Sequence, residues 1–446
     1  MIDFKNVEKY RENNRIEAKK ALGGLPESIW ETYSAFANTL GGVILLGVEE
    51  YRDKTFHVLD LPDPEGMIEK FKIILNDKRR VSANILSERD IRIEKYNGKR
   101  FISINVPKAS RFDKPLYIDG NINGGTYRRG GEGDYKCKKE EIESMKRDAE
   151  RASADSVVYP DLTLSDISTE TLKKFRKKVA SLRDYSDIES KFADQINAAI
   201  LLMFGKKEKI KKFFPYFAPC FIEKHEGSII RHESENLFEL YLLSEKIIMQ
   251  RLCELCLNAK DRQIVFDAIS EAIANAMIHS DYRSKTSIEI EYSDDQISLS
   301  NAGSLRFSKD AIIEGGITDR RNEFISRLLS FAGIGSGGIK GIYEVWRKKK
   351  WQPPKVIESF SPDKVTVILS FFGGETDFSG SDVLIESRKK AVLDHITEKI
   401  EVTSRDIADL LGIKREKALE ILMELSSEEI LTFEKRGNSY FYRLKA

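Results

Sequence analysis

Apolar and polar positions alternate with different periods along the chain, and those periods predict its elements. Arg15–Lys19 alternates as a short strand, with Glu17 and Lys19 on one face. Ile29, Tyr33, Phe36 and Leu40 recur at helical spacing, so a helix is predicted, opened by Pro26 and closed by Gly41-Gly42. Val43–Val48 is a continuous apolar run, predicting a buried strand that delivers Glu49 and Glu50 at its end. Phe101–Pro107 alternates again. Arg147–Ser168 is rich in Ser, Asp and Ala and reads as a linker or domain edge. Helical patterns follow over Glu170–Ser181 and Asp194–Phe204, strands over Phe214–Ile222 and Gly227–His232, and a long helix over Asn236–Leu257. That middle segment presents no chemistry and reads as support or as part of a dimer interface.

The stretch Asp267–Tyr282 organises what comes after it. Read as a helix, it stacks Glu271 and Asn275 on one face, among small and apolar neighbours. Burying a carboxylate and a carboxamide without partners is costly. A metal–triphosphate suits both: the amide oxygen ligates Mg²⁺ and the carboxylate orients the attacking water. The competing reading is a core helix whose polar pair caps or bridges its neighbours. Strands are predicted over Ser287–Tyr292 and Gln296–Ser300, a turn at Asn301-Ala302-Gly303, and a helix from Arg321-Asn322 to Ser330. Glycines Gly333, Gly335, Gly337, Gly338 and Gly341 then form a loop entering a helix, an anion-binding arrangement to which Lys340 adds charge. Lys364–Phe372 is a strand able to close the sheet.

At the C-terminus, helical patterns over Ser387–Thr397, Thr403–Leu411 and Lys414–Leu425 precede a hairpin around Gly437-Asn438. Lys414, Arg415 and Lys417 open the third helix, and Lys435 and Arg436 sit at the hairpin tip, where nucleic-acid contacts occur. Glu416, Glu420 and Glu424 share that helix, so a protein-contact role competes.

Composition narrows the class. The 446 residues are too many for one core and suggest about three domains. Lys+Arg 73 against Asp+Glu 72 leaves a formal net charge of +1, so any nucleic-acid site is a local patch. No apolar run reaches the roughly 18 residues of a membrane span, and the charged start lacks a signal-peptide core, so a cytoplasmic location is expected. Cys253 and Cys256 form a CxxC without a second Cys or His pair nearby, and reduced thiols are expected. His225 and His232 flank a predicted hairpin, where exposure or metal binding are both open.

Ser34-Ala35-Phe36-Ala37-Asn38-Thr39, Gly41-Gly42 and Gly47-Val48-Glu49, behind a Glu17-x-Lys19 strand, resemble the Schlafen/AlbA-like domain. The likeness continues through Phe101–Val106 and Thr126-Tyr127-Arg128-Arg129 to about Glu140. It implies an α/β nucleic-acid domain. In the nuclease members three acids act, and by position these are Glu12, Glu17 and Glu49, with Lys19 beside them and Mg²⁺ or Mn²⁺ as the metal. Glu49 stands where that family usually has Asp. Lys108, Arg111, Lys114, Arg128 and Arg129 are then expected to flank a phosphate backbone.

The order from Asp261 to Gly374 resembles the GHKL-type ATPase domain. The resemblance implies ATP and Mg²⁺, with Asn275 on the metal, Glu271 as water base, and Asn301, Gly303, Gly335, Gly337, Gly338 and Lys340 around the nucleotide. Asn301-Ala302-Gly303 replaces the usual Asp-x-Gly-x-Gly, which changes the donor and acceptor set offered to the base. The tail resembles a winged helix. The expected fold is therefore α+β multidomain: a Schlafen/AlbA-like α/β domain (1–147), an α+β middle segment (148–260), a GHKL-like α/β sandwich (261–375) and a winged helix domain (376–446). The whole resembles bacterial ATP-binding proteins often catalogued as transcriptional regulators or RecG-like. Two functions follow as expectations: an ATP-binding, nucleic-acid-binding regulatory homo-oligomer with a possible ATPase activity, or a metal-dependent endonuclease effector in antiviral defence.

Overall fold

The structure is a computed structural model. It describes residues 13–131, 133–180, 195–225, 228–253, 255, 257–293, 295–307, 309–314, 319–335, 338–372, 389, 392–393, 395–396, 399, 401–411, 415–427, 430–436 and 439–445. The chain divides into two compact units, 1–345 with 354–370, and 346–353 with 371–446.

In the first unit the elements run β1 (Ile16–Lys19), α1 (Ile29–Asn38), β2 (Gly42–Leu46), β3 (Val48–Glu50), β4 (Phe56–Val58), α2 (Pro64–Leu75), β5 (Ile91–Tyr96), β6 (Lys99–Val106), β7 (Tyr127–Gly130), β8 (Gly133–Lys136) and α3 (Lys139–Ala149). They continue through α4 (Thr169–Ala180), α5 (Ala198–Phe204), α6 (Lys207–Phe213), β9 (Cys220–His225), β10 (Ser228–Glu233), α7 (Leu237–Leu252), α8 (Ala259–His279), β11 (Glu289–Tyr292) and β12 (Gln296–Ala302). Then come α9 (Lys309–Glu314), α10 (Glu323–Phe331), α11 (Gly338–Lys348), β13 (Lys355–Ser359) and β14 (Lys364–Ser370).

The N-terminal layer is a four-stranded sheet in the order β1-β2-β6-β5, with β1 parallel to β2 and the other pairs antiparallel. α1 buries Ile29, Trp30, Tyr33 and Phe36 against it, and Trp30 stacks on Phe71 of α2 at 5.0 Å. The polar residues of the same helix act as pins. Ser34 Oγ donates to the Leu116 carbonyl (2.7 Å) and accepts from the Tyr127 amide (3.0 Å). Fully buried Asn38 donates to the carbonyls of Leu116 and Tyr127 and accepts from the Leu116 amide. Each of these buried groups is thus satisfied, and β7 is held beside α1.

The second layer is a six-stranded sheet, β10-β9-β11-β12-β14-β13. β9 runs parallel to β11, and the remaining pairs are antiparallel. α8 crosses this sheet and is buried on most of its circumference by Val265, Phe266, Ile269, Ile273 and Met277. Its Asn258 cap accepts from the Asp261 amide. Its last carbonyls, which have no partner within the helix, are taken up by a distant pair. Asn322 Nδ2 donates to the carbonyls of Ile278 (3.0 Å) and Ser280 (2.8 Å), and Arg321 donates to the His279 carbonyl.

Several boundaries differ from the sequence reading. The run Val43–Val48 is broken at Gly47, so Glu49 lies in β3, paired to β4 opposite His57. The expected strand Phe214–Ile222 begins only at Cys220, because the preceding residues form α6 and a turn. β9 and β10 join the central sheet, so the middle segment is built into the same layer as β11–β14. β13, absent from the sequence reading, forms the outer strand.

Four basic side chains of residues 108–147 fasten the two layers. Lys108 Nζ pairs with Glu358 (2.9 Å), Arg111 with Asp319 (2.6 Å), Arg128 bidentately with Asp363 (2.5 and 3.0 Å), and Arg147 with Asp281 (2.7 Å). Asp148 reverses the polarity: its Oδ1 accepts from Arg306 and from Arg321, each at 2.8 Å.

The second unit holds α12 (Ser404–Leu411), α13 (Arg415–Ser427) and an antiparallel hairpin of β15 (Leu431–Arg436) and β16 (Ser439–Leu444). Its core is Val392, Ile396, Ile407, Leu422, Leu425 and Tyr442 with their neighbours.

Asp148 is buried between two guanidinium groups; its removal leaves Arg306 with Asp319 but takes the paired carboxylate from buried Arg321. Asp148→Ala is expected to lower unfolding stability by about 3–5 kcal/mol, read from the urea midpoint at constant m-value. Loss of under about 1 kcal/mol would show that Arg306 and Arg321 find water instead.

Candidate functional site

A cavity of about 370 Å³ opens between α8, β12, β14 and the loop leading into α11. α8 contributes Glu271, Asn275 and His279, one turn apart on one face, as the helical repeat requires. β12 contributes Asn301, and the residues after it contribute Ser304, Arg306 and Phe307. Gly335 and Gly338 supply the fourth wall, and Val365 and Val367 of β14 the apolar floor.

The polar groups differ in what they already hold. Glu271 Oε1 accepts from the Gly338 amide at 2.9 Å, at the first residue of α11. Asn301 Nδ2 donates to the Ala302 carbonyl (3.1 Å), leaving its Oδ1 without a partner among the described residues. The half-buried Asn275 carboxamide likewise has no hydrogen-bond partner there. Gly335 has φ +75°, and a Cβ on it would stand 2.7 Å from the Ala274 methyl, so a side chain is excluded from this approach to α8. Gly303 has φ +108°, and a Cβ on it would press on the Arg321 guanidinium at 2.3 Å. It lies beside the cavity wall and is absent from the lining. Lys340 is exposed on α11 and also outside the lining. Gly337 lies outside the described residues.

His279, Arg306, Asp319 and Arg320 make one end of the cavity titratable. Burial, then the guanidinium groups of Arg321, Arg306 and Arg320, push the His279 imidazole down to about 4, with Asp319 opposing them weakly. The ring is therefore neutral at pH 7. Burial alone would raise the Asp148 carboxyl, but Arg321 and Arg306 outweigh it and hold that group below the usual range. Sequence reasoning missed His279, Arg306, Asp319 and Arg320. His279 alone had a signal, lying two turns beyond Glu271 on the same helical face.

The N-terminal acids are held by cations. Glu17 lies 3.0 Å from Lys19 and 2.8 Å from Arg129, the latter an ion pair without hydrogen-bond geometry, since Glu17 Oε2 counts no hydrogen-bond donor. Glu49 lies 2.6 Å from Lys20. Glu12 lies outside the described residues. Among the described residues no group of three or more His, Cys, Asp or Glu is placed to hold a metal ion.

The basic residues expected beside a phosphate backbone are elsewhere engaged. Arg128 and Arg129 are 6% and 5% exposed. Arg128 pairs with Asp363, and Arg129 with Glu17 and Asp134. Lys108 and Arg111 fasten the layers, and half-buried Lys114 donates to the Asn38 carbonyl (3.1 Å). Arg128 and Arg129, expected beside a phosphate backbone, are buried on acids: Asp363 and Glu17 from distant sequence, and Asp134 from the neighbouring β8. In the second unit Arg415 Nε donates to Ser404 Oγ (3.0 Å), Lys435 lies over the Tyr440 ring, and Arg436 pairs with Glu401 and Glu434. Lys414 and the Lys417 side chain lie outside the described residues. The exposed face of α13 carries Leu419 and Met423 beside Glu420 and Glu424.

Residues 12–138 match the Schlafen, AlbA_2 family model and form a domain of that type. Among solved structures the chain is similar to the DIP2311 protein of Corynebacterium diphtheriae, at 16% identity over 97% of this chain and 92% of that one, with a TM-score of 0.43. It is also similar to the N-terminal domain of a RecG-related protein from Nitrosomonas europaea, at 32% identity over 28% of this chain and 84% of that one, with a TM-score of 0.23. No curated protein matches. Among the described residues no helix is long and apolar enough to cross a membrane.

The depressed His279 value carries a sign. The unfolded imidazole takes its proton near pH 6.5 and the folded one only near 4, so stability falls as pH drops through that window. The ring borders an open cavity, so the loss is expected at up to about 3 kcal/mol. Thermal unfolding of wild type and His279→Gln between these pH values checks it. The variant is expected to show the flatter profile, and parallel profiles count against a neutral His279.

Proposed function

We propose that the chain is a nucleotide-binding, nucleic-acid-binding regulatory protein whose α8 cavity takes ATP with Mg²⁺. The observation that carries this reading is the Asn275 carboxamide, which lines the cavity without a hydrogen-bond partner among the described residues. Its polar atoms open onto the cavity, where a ligand reaches them. The volume of about 370 Å³ falls within the range of small-ligand sites.

In this reading Asn275 Oδ1 holds the metal, which would supply charge neutralisation at the phosphates. Gly335, Gly338 and the amide end of α11 face the phosphates. Asn301 Nδ2 is committed to Ala302, so its Oδ1 is the atom that accepts from an exocyclic amino group, as adenine offers. An aspartate is thus not required at that position for an amino-bearing base. Glu271 holds the Gly338 amide and acts first as a latch on the loop; orienting water requires it to release that amide. This arrangement favours nucleotide binding as a switch over rapid turnover. The GHKL-like character of residues 261–375, the winged-helix character of the tail and nucleotide-linked homo-oligomer formation belong to the same proposal.

Titration with a fluorescent ATP analogue in the presence of Mg²⁺ tests it. Asn275→Ala is expected to weaken binding by about tenfold or more, corresponding to about 1.4 kcal/mol. Equal affinity in wild type and variant, or no binding at millimolar analogue, would overturn the nucleotide reading.

A further inference from the structure

The six-stranded sheet ends on two strands of different character. β13 follows Pro353-Pro354, and its Glu358 is buried on Lys108 of the other layer. β10 closes the opposite end and pairs only with β9 among the described residues. Edge strands are normally blunted by charges, prolines or bulges. The first half of β10, Ser228-Ile229-Ile230, has no charge and no proline. Ile229 and Ile230 are 68% and 52% exposed, and Ile229 is the most exposed large apolar side chain among the described residues.

The register shows which backbone groups this edge offers. The Cys220 amide of β9 donates to the Ile288 carbonyl, on the β11 side, and the Ser234 amide donates to the Pro219 carbonyl. Antiparallel pairs alternate between bonded and non-bonded positions. Glu233 stands opposite Cys220, so that pair is non-bonded and the groups turned toward β9 belong to Ser228, Ile230 and His232. The amides and carbonyls of Ile229, Arg231 and Glu233 therefore point to the open side.

We infer that β10 pairs antiparallel with β10 of a second copy of this chain, so that the two sheets run on as one across a two-fold axis. A bonded ladder must set outward groups against outward groups, which leaves two registers that overlap five residues of the strand. One is centred on Arg231 and sets that guanidinium opposite its own copy, a repulsive pair. The other is centred on Ile230 and has no like charges opposite. It sets Ile230 against Ile230 at a non-bonded position, where side chains approach most closely. Arg231 then faces Ile229 of the second copy, and His232 faces Ser228. Arg231 already lies 3.3 Å from Glu289 and His232 2.8 Å from Glu223, so neither brings an unpaired charge into the contact.

The strand is thus complementary to itself in the one register that charge allows, and that register covers both exposed isoleucines. A ladder this short buries less than the roughly 1,600 Å² of a standard interface, so the dimer is expected to dissociate in the micromolar range. The edge is complete without any ligand, and the inference does not rest on the nucleotide reading.

Sedimentation velocity of the full chain without nucleotide, from about 1 to about 200 μM, tests the pairing. A monomer–dimer equilibrium is expected. Ile229→Pro removes an outward amide without touching the bonds to β9, and Ile230→Lys sets two charges face to face. Each is expected to raise the dimer Kd about tenfold or more. Ile73→Lys, at an equally exposed isoleucine of α2, is expected to change it by less than about twofold. Thermal unfolding confirms that each variant is folded, and Ile229→Thr and Ile230→Thr replace any that is not. Register is read from oxidative cross-linking in a Cys253→Ser, Cys256→Ser background. Ile230→Cys is expected to link two copies about tenfold faster than Ile229→Cys, whose opposite residue is Arg231. A monomer at every concentration would overturn self-pairing and leave the edge to a strand of another protein. A dimer unaffected by the folded edge variants, or equal cross-linking at 229 and 230, would also overturn it.

Discussion

Asp148 sits at the end of α3 and receives two guanidinium groups from residues more than 150 positions away. Two of the links between the layers meet at this carboxylate. Arg321 reaches from it to the last turn of α8, and Arg306 reaches from it to Asp319 at the cavity. A charge cluster of this kind gains little net stability, since desolvation consumes most of the Coulombic attraction. Its value is selectivity: a displaced layer would strand several buried charges without partners. The stability itself comes from the apolar cores, in which Trp30, Phe36, Phe71, Ile269 and Met277 are almost wholly removed from water.

The same cluster reaches the candidate site. Arg306 belongs at once to the interlayer pairs and the α8 cavity. α8 is anchored at both ends, by Asn258 at its start and by Arg321 and Asn322 at its finish. The Glu271–Asn275–His279 face is therefore presented rigidly, while the loop before α11 is held to it through the amide of Gly338.

Much of the architecture was legible from local pattern. The α1 stripe, the β1 alternation and the α8 face each arise from a period that neighbouring residues share, and all three appear as elements, the two helices with their apolar residues buried and β1 half-buried beyond Ile16. The Glu271–Asn275 stack and the glycines opposite it could be grouped because helix geometry and glycine freedom are local properties. Other features were not legible for equally physical reasons. Lys355–Ser359 is only five residues long, follows two prolines and has no polar–apolar alternation, so its strand character comes from pairing with β14. Ser34 and Asn38 look like ordinary polar positions of a helix until Leu116 and Tyr127 are folded beside them.

Arg128 and Arg129 mark the boundary most sharply. Their sequence alone determined that a basic pair follows a strand, and basic pairs on strands usually face water. Only the tertiary structure decided that Asp363 and Glu17 meet them and that both side chains are buried. Sequence determined the elements and their apolar faces, because those depend on neighbours within a turn or two. Tertiary structure decided which charges are available to a ligand, because a charge is spent or free according to partners that arrive from elsewhere in the chain.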